Sequence, residues 1–169
     1  AADAEAADSW RKRMEPRGEL LQAGLAWSGS ADNRNDRNRS IPLERFSQLS
    51  GVEGVRFHSL QTAPPPAAGG IELSDWSAAL KDFAETAGLI ENLDLVISVD
   101  TAVAHLAGAM GKPVWLLIPF PPDWRWLLER EDSPWYPTIR LFRQETPGDW
   151  GSVIRRVAGE LSRYKLRRG

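Results

Sequence analysis

The chain has no cysteine. Disulfides, thiolate nucleophiles and zinc–thiolate sites are excluded, and the composition suits a reducing compartment, so the expected location is cytoplasmic. Histidine is scarce. His58 and His105 are the whole supply, and their spacing matches no metal-ligand pair. Neither sign of charge dominates: 21 Lys and Arg face 23 Asp and Glu, for a net charge of −2, so bulk charge offers nothing to nucleic acid or an anionic membrane. No apolar run approaches the roughly 20 residues a bilayer span needs. The acidic, Ala-rich start lacks the basic and apolar segments of a signal peptide. P-loop, dinucleotide fingerprint, nucleophile elbow and internal repeat are all missing.

What remains is an ordinary globular composition, 42% apolar over 169 residues, enough for one domain with a real core. Residues 1–19 have high helix propensity and little apolar face, and Pro16 and Gly18 punctuate their end. They are expected to be a leader helix or linker from an upstream domain, and 20–169 the folded domain. The start at Ala rather than Met suggests a piece of a longer protein. Short apolar runs alternate with helical patterns along 20–169. "LLQAGLAW", "GVRFHSLQ", "DLVISV", "KPVWLLIPF" and "TIRLFRQ" read as strands, with "IELS" as a short extra one. "PLERFSQLS", Leu80 to Leu93, "TAVAHLAGAM" and a last segment capped by Asp149 read as helices. "DLVISV" is apolar at nearly every position, the pattern of a parallel strand covered on both faces. The fold class is α/β, an open, doubly wound, Rossmann-like parallel sheet. Ligands of such sheets sit beyond the carboxyl ends of the strands.

Three constellations follow strand ends. The first is the seam where "DLVISV" gives way to "DTAVAHLAGAM". A helix starting at Thr101 exposes N–H groups and a partial positive charge suited to phosphate, Ala102 keeps the approach open, and His105 lies one turn along. The plain alternative makes Asp100 the helix cap and His105 a satisfied core histidine. The second is "SGSADNRNDRNRS", where Arg34, Arg37 and Arg39 suit a diphosphate and Ser28 and Ser30 supply hydroxyls. The alternative is a solvated loop whose arginines and aspartates neutralise each other. The third is "PFPPDWRWLLEREDSPWYP", where Trp124, Trp126, Trp135 and Tyr136 either stack on a base or sugar in a cleft or pack into a core or interface. Asp123 and Glu129 are its acid–base candidates.

On these residues the chain resembles glycosyltransferase family 9, the ADP-heptose–lipopolysaccharide heptosyltransferases. "DLVISVDTAVAHLAGAMGKPVWLL" resembles the family's strand, Asp-Thr, His four residues after the Thr, small-residue helix, Gly-x-Pro and second strand. "LAWSGSADNRNDRNRSIPLERF", "FHSLQ" and "DWRWLLEREDSPWYP" look like the version at the end of bacterial tetratricopeptide-repeat proteins. The resemblance implies the C-terminal, donor-binding half of a GT-B fold. It also implies an inverting, metal-independent transfer from a nucleotide-diphosphate sugar, with no cofactor. Asp100, Thr101, Ala102 and His105 fall at donor diphosphate and sugar positions. The family carries Gly where Ala102 stands, and a Lys before Trp-Pro where Arg39 precedes Ser40-Ile41-Pro42. Ser28 and Ser30 lie near the family's hydroxyl pair, and Gln61 faces base or ribose. The implied partners are the nucleotide sugar and an upstream repeat or N-terminal domain of the same parent, with no nucleic acid and no membrane span. The acceptor half is missing, so the domain alone is expected to be inactive. The rival reading is a non-catalytic interaction module on the same scaffold.

Overall fold

The structure is a computed structural model that describes residues 2–30, 35–67, 69–127 and 130–167. Six strands are described: β1 (Leu21–Ala26), β2 (Val55–Ser59), β3 (Leu73–Ser74), β4 (Leu95–Val99), β5 (Val114–Ile118) and β6 (Ile139–Arg143). They form one sheet in the order β3-β2-β1-β4-β5-β6, every pair parallel. The helices are α1 (Ala4–Arg13), α2 (Asp36–Arg39), α3 (Phe83–Glu91), α4 (Ala102–Ala109) and α5 (Trp150–Leu166), with 3-10 segments over Leu43–Gly51 and Trp124–Trp126. This is the doubly wound order, with its reversal at β1 and β4, and it bears out the expected fold class.

Alternation along the strands divides the core in two. Leu95, Ile97 and Val99 of β4 join Phe46 and Leu49 of the first 3-10 segment and Val153, Ile154 and Val157 of α5. Val96 points the other way, to Leu89 and Ile90 of α3, Ala104 and Ala107 of α4, and Trp10 of α1. Every residue of β4 and β5 is buried, as their nearly continuous apolar runs led one to expect, with Ser98 the one polar residue among them.

Three elements differ from the sequence reading. Residues 4–13 form a packed part of the helical layer: Trp10 and Met14 are buried, Trp10 Nε1 donates to Glu85 Oε2 at 2.8 Å, and Asn92 Nδ2 donates to the Ala7 carbonyl at 2.8 Å. Only two large side chains, four residues apart, carry this contact, too few to show as an apolar stripe. The helix expected over 80–93 is shorter because Asp82 caps it, accepting from Glu85 N–H. Phe83, counted on its apolar face, is consequently exposed. The segment after Pro42 winds as a 3-10 helix. At the other end, Asp149 caps α5 as expected, accepting from Ser152 N–H at 3.1 Å.

Candidate functional site

β4 ends at Val99, and two buried polar residues, Asp100 and Thr101, lead into α4. The cap residue is Thr101, not Asp100, and its side chain makes no capping bond. Ser98 Oγ donates to the Val99 carbonyl at 2.7 Å, so in the Ser98–Thr101 contact at 3.2 Å the Thr101 hydroxyl is the donor. At the start of α4 the Ala104 N–H turns back to the Thr101 carbonyl at 3.1 Å, the N–H groups before it have no carbonyl one turn behind them to bond, and Ala102 stands exposed at their front.

Asp100 is held by protein groups. Its Oδ2 accepts from Trp126 Nε1 at 2.9 Å, His105 Nε2 lies 3.5 Å from Oδ1, and an Arg125 nitrogen lies 3.7 Å from Oδ2. Burial pushes this carboxyl up, but hydrogen bonds from His105 and Trp126 and the Arg125 charge outweigh it and hold it below its ordinary range. The carboxylate is thus ionised, and its charge is compensated on the spot.

The first crossover reaches the same seam. Arg39, at the end of α2, donates from Nη1 to the Asp100 carbonyl at 2.7 Å. Asp36 braces it, accepting from Arg39 Nε at 3.2 Å and from Ser40 Oγ at 2.8 Å, while Ser40 Oγ accepts from Gly29 N–H at 3.2 Å. Gly29 is needed for this arrangement: a Cβ there would sit 2.1 Å from Arg39 Nη2. Asp36, Ser40 and Gly29 were not singled out as site residues. Their signal was the Asp-x-x-Arg-Ser spacing, which puts carboxylate, guanidinium and hydroxyl within one helical turn.

The other named residues separate. Ser28 and Gln61 meet each other: Gln61 Nε2 donates to Ser28 Oγ at 2.9 Å, and Gln61 Oε1 accepts from Ser28 N–H at 3.4 Å. Ser30 and Arg37 are exposed. Arg34 and Glu129 lie outside the described residues. Asp123 is not poised as an acid or base: it caps the Trp124–Trp126 turn and grips Arg125, with Oδ1 2.9 Å from Nε and Oδ2 3.2 Å from Nη2.

The tryptophans part company too. Trp126 is 1% exposed and stacks on His105 with ring centroids 5.5 Å apart. Arg143 of β6 secures its carbonyl. Trp124 is 76% and Trp135 61% exposed. These two, with His105, Arg125, Trp126 and Tyr136, line a cleft of about 390 Å³ beside α4. Tyr136 reaches His105, with its hydroxyl 3.3 Å from Nδ1, and its ring lies close against Gly108, where a Cβ would come within 2.9 Å of Cγ. Arg125 is the residue the sequence reading passed over, an arginine between two tryptophans just beyond β5.

Among the described residues no group of three or more His, Asp or Glu could hold a metal, and no helix is long and apolar enough to cross a membrane. A larger groove, about 660 Å³ and lined by Arg17, Leu21, Asp94 and Lys165, lies at the opposite, amino end of the strands.

The class the structure defines is a Rossmann-like α/β domain, a doubly wound parallel sheet with a polar seam at the β4–α4 junction. Residues 78–117, which contain α3, β4, the seam and α4, match the family model for glycosyltransferase family 9 (heptosyltransferase). The chain is 31% identical over 163 residues to protein FlbA of Caulobacter vibrioides, covering 90% of this chain and 27% of FlbA. Its fold is similar to that of Escherichia coli ADP-heptose lps heptosyltransferase II, with TM-score 0.67 and 12% identity over 99% of this chain and 53% of that one. It is also similar to a glycosyl transferase family 9 protein from Veillonella parvula, with TM-score 0.61 and 13% identity over 100% of this chain and 53% of that one. The chain thus spans about a quarter of the curated relative and about half of each solved structure.

Proposed function

We propose that this chain is the C-terminal, donor-binding half of a GT-B glycosyltransferase that inverts configuration at the sugar and uses no metal or other cofactor. The parent joins it to an acceptor-binding or tetratricopeptide-repeat domain, and the chain by itself turns nothing over. The observation that carries this reading is the 2.7 Å bond from Arg39 to the Asp100 carbonyl, which brings the arginine of the first crossover to the helix tip.

A nucleoside diphosphate sits there on the first-turn N–H groups of α4, with Arg39 beside it. Thr101 joins by turning its hydroxyl from Ser98 to a phosphate oxygen, exchanging one hydrogen bond for another. As the bond from sugar to diphosphate breaks, negative charge grows on the departing oxygens. Oriented N–H groups and a fixed guanidinium stabilise that charge more than they stabilise the ground state. Asp100 is too close to phosphate to help while its charge stands uncompensated. Trp126, His105 and Arg125 therefore serve as positioning residues. Ser28 and Gln61, beyond β1 and β2, are placed for ribose or base on the far side of the tip from the aromatic cleft.

The test is thermal denaturation with ADP, GDP and UDP. At least one raises the melting temperature, and Thr101→Val or Arg39→Ala removes the rise. Unchanged melting with all three in folded protein would overturn the reading. It would favour the non-catalytic module, which has the internally bonded Thr101 hydroxyl and the exposed Trp124 on its side.

A further inference from the structure

We propose that the donor binds together with one proton: His105 takes it up as the diphosphate arrives, and Tyr136 then turns its hydroxyl from His105 to the ligand. The inference rests on the donor reading for the identity of the ligand; the proton wiring stands on the contacts around Asp100.

The compensation of Asp100 is complete only when His105 is charged. Two carboxylates share one guanidinium. Arg125 grips Asp123 through both carboxylate oxygens, at 2.9 and 3.2 Å, and reaches Asp100 at 3.7 Å. The Trp126 N–H that Asp100 also accepts carries no net charge. Arg39 adds nothing to the count, because Asp36 stands 3.2 Å from it as its own counter-charge. Arg143 is engaged elsewhere, on the Trp126 and Arg130 carbonyls. The groups that face His105 are thus Asp100 from the seam, Arg125 and Trp126 from the 3-10 turn, and Tyr136 from the loop before β6. With His105 neutral, Asp100, Asp123 and Arg125 leave one negative charge over, and a diphosphate beside them is repelled. A proton on His105, whose Nε2 lies 3.5 Å from Asp100 Oδ1, cancels it.

The same proton rewires the wall of the cleft. Asp100 accepts only, so Nε2 carries the one proton of the neutral imidazole, and Nδ1 accepts from the Tyr136 hydroxyl at 3.3 Å. The imidazolium has an N–H at both nitrogens. Nδ1 then donates to the Tyr136 oxygen, and the hydroxyl proton turns away from the ring, into the cleft that His105 and Tyr136 both line. Tyr136 is held for this. Its ring lies against Gly108, where a Cβ would come within 2.9 Å of Cγ, and its backbone N–H donates to buried Ser133 Oγ at 3.3 Å. One proton therefore removes a repulsion and supplies a hydrogen-bond donor. Both changes favour a ligand rich in negative oxygens.

Binding and protonation are linked reciprocally, so the donor tightens as pH falls through the range in which histidines titrate. The probes are ADP-glucose, GDP-glucose and UDP-glucose. Both phosphates of each are diesters and keep a fixed charge from about pH 8 to about pH 5.5, unlike the terminal phosphate of a free diphosphate. Over the same range His58, pushed down to about 4 by burial, stays neutral. Isothermal titration calorimetry of the 169-residue chain gives the dissociation constants. At least one probe binds about tenfold more tightly at the lower pH, the effect of a one-unit shift in a linked proton. Near neutral pH its heat differs between buffers of unlike ionisation enthalpy, which shows the proton being taken up. His105→Gln, which cannot accept that proton, binds equally at both pH values. Tyr136→Phe keeps the ring, loses the turned hydroxyl and cuts the gain to about threefold. If His105→Gln does not fold, the buffer heats and Tyr136→Phe decide. Equal affinity of the parent chain at both pH values overturns the proposal, and so does a gain that His105→Gln or Tyr136→Phe leaves whole. Binding without pH dependence sinks this inference alone; no binding of any probe at either pH sinks the donor reading and this inference with it.

Discussion

Two histidines each stack on a tryptophan, and the two pairs are wired differently. On β2, His58 lies against Trp76 with ring centroids 6.2 Å apart, and Trp76 Nε1 donates to His58 Nδ1 at 3.0 Å. The proton must then sit on Nε2, which donates to Gln22 Oε1 at 2.8 Å, and Gln22 Nε2 ends on the Leu20 and Arg17 carbonyls at 2.7 and 3.2 Å. Every polar atom of this set has a partner inside the fold. On α4, His105 lies against Trp126 in the same way, but that indole N–H passes the imidazole and goes to Asp100. His105 meets the carboxylate on one side and a cleft-lining tyrosine on the other. A closed neutral network fixes a core; an ionised one with an open side is where a ligand can enter. The same two residue types therefore close a network at β2 and leave one with an open side at the seam.

The greatest loss sharpens this contrast within the Trp-rich loop. Trp126→Ala removes a fully buried ring and strips Asp100 of a donor, so it should cost about 3–5 kcal/mol. Trp124→Ala, two residues earlier and exposed, should stay within about 0.5 kcal/mol. Chemical denaturation of both variants checks this, and equal costs would show that the loop does not divide as described.

The closed network also has a pH signature. Burial, reinforced by the Arg56 and Arg17 charges, pushes His58 from 6.5 down to about 4. Because the folded value is depressed, the neutral form is the one the fold favours. The resulting stability is fully present above pH 6.5 and is lost as pH falls from 6.5 through about 4. The loss approaches about 3 kcal/mol below that window. Urea midpoints measured from pH 7 to pH 4 should show the decline, and His58→Gln should flatten it while keeping an acceptor for Trp76. Asp100 acts in a lower window: its depressed carboxyl contributes stability above the ordinary carboxyl range and loses it as pH falls below that range.

The sheet was legible because "DLVISV" and "KPVWLLIPF" are apolar at nearly every buried position, Ser98 being the exception, and the small-residue helix between them leaves one topology. The helix tip was legible for the same reason, since strand end and helix start are adjacent in sequence. Partners from other segments were not. Nothing near Asp100 announces that its carboxylate is taken by Trp126, 26 residues on, nor that Gln61 turns to Ser28, 33 residues back. Trp124 and Trp126 are alike in composition and neighbourhood, and only the three-dimensional turn decides which is buried. The α1 contact was missed because Trp10 and Met14 carry it almost alone.

A subtler pair of substitutions tests ionised against neutral wiring. Trp126→Phe keeps the ring and deletes the N–H to a carboxylate, a bond worth about 1.5–3 kcal/mol when one partner is charged. It should also raise the Asp100 carboxyl, so acid-side stability is lost at a higher pH than in the parent chain. Trp76→Phe deletes a bond between neutral groups, worth about 1 kcal/mol. Calorimetry at pH 7 orders the two, and a larger cost at Trp76 would refute the contrast.

A small expected effect on stability is the most informative about the site. Gly29→Ala puts a methyl where the Arg39 guanidinium lies, 2.1 Å from Nη2. The guanidinium is the far end of a flexible side chain, so it can swing to solvent, giving up its bonds to Asp36 and to the Asp100 carbonyl. Those bonds sit at a partly exposed edge, and alanine restricts the unfolded chain by about 0.4–1 kcal/mol in compensation. The net cost should be below about 1 kcal/mol. Yet the arginine has left the helix tip, and the melting shift given by nucleoside diphosphate should vanish as fully as in Arg39→Ala. A variant that keeps both its stability and its nucleotide response would mean that the guanidinium is not what meets the phosphates, and that the N–H groups of α4 hold them alone.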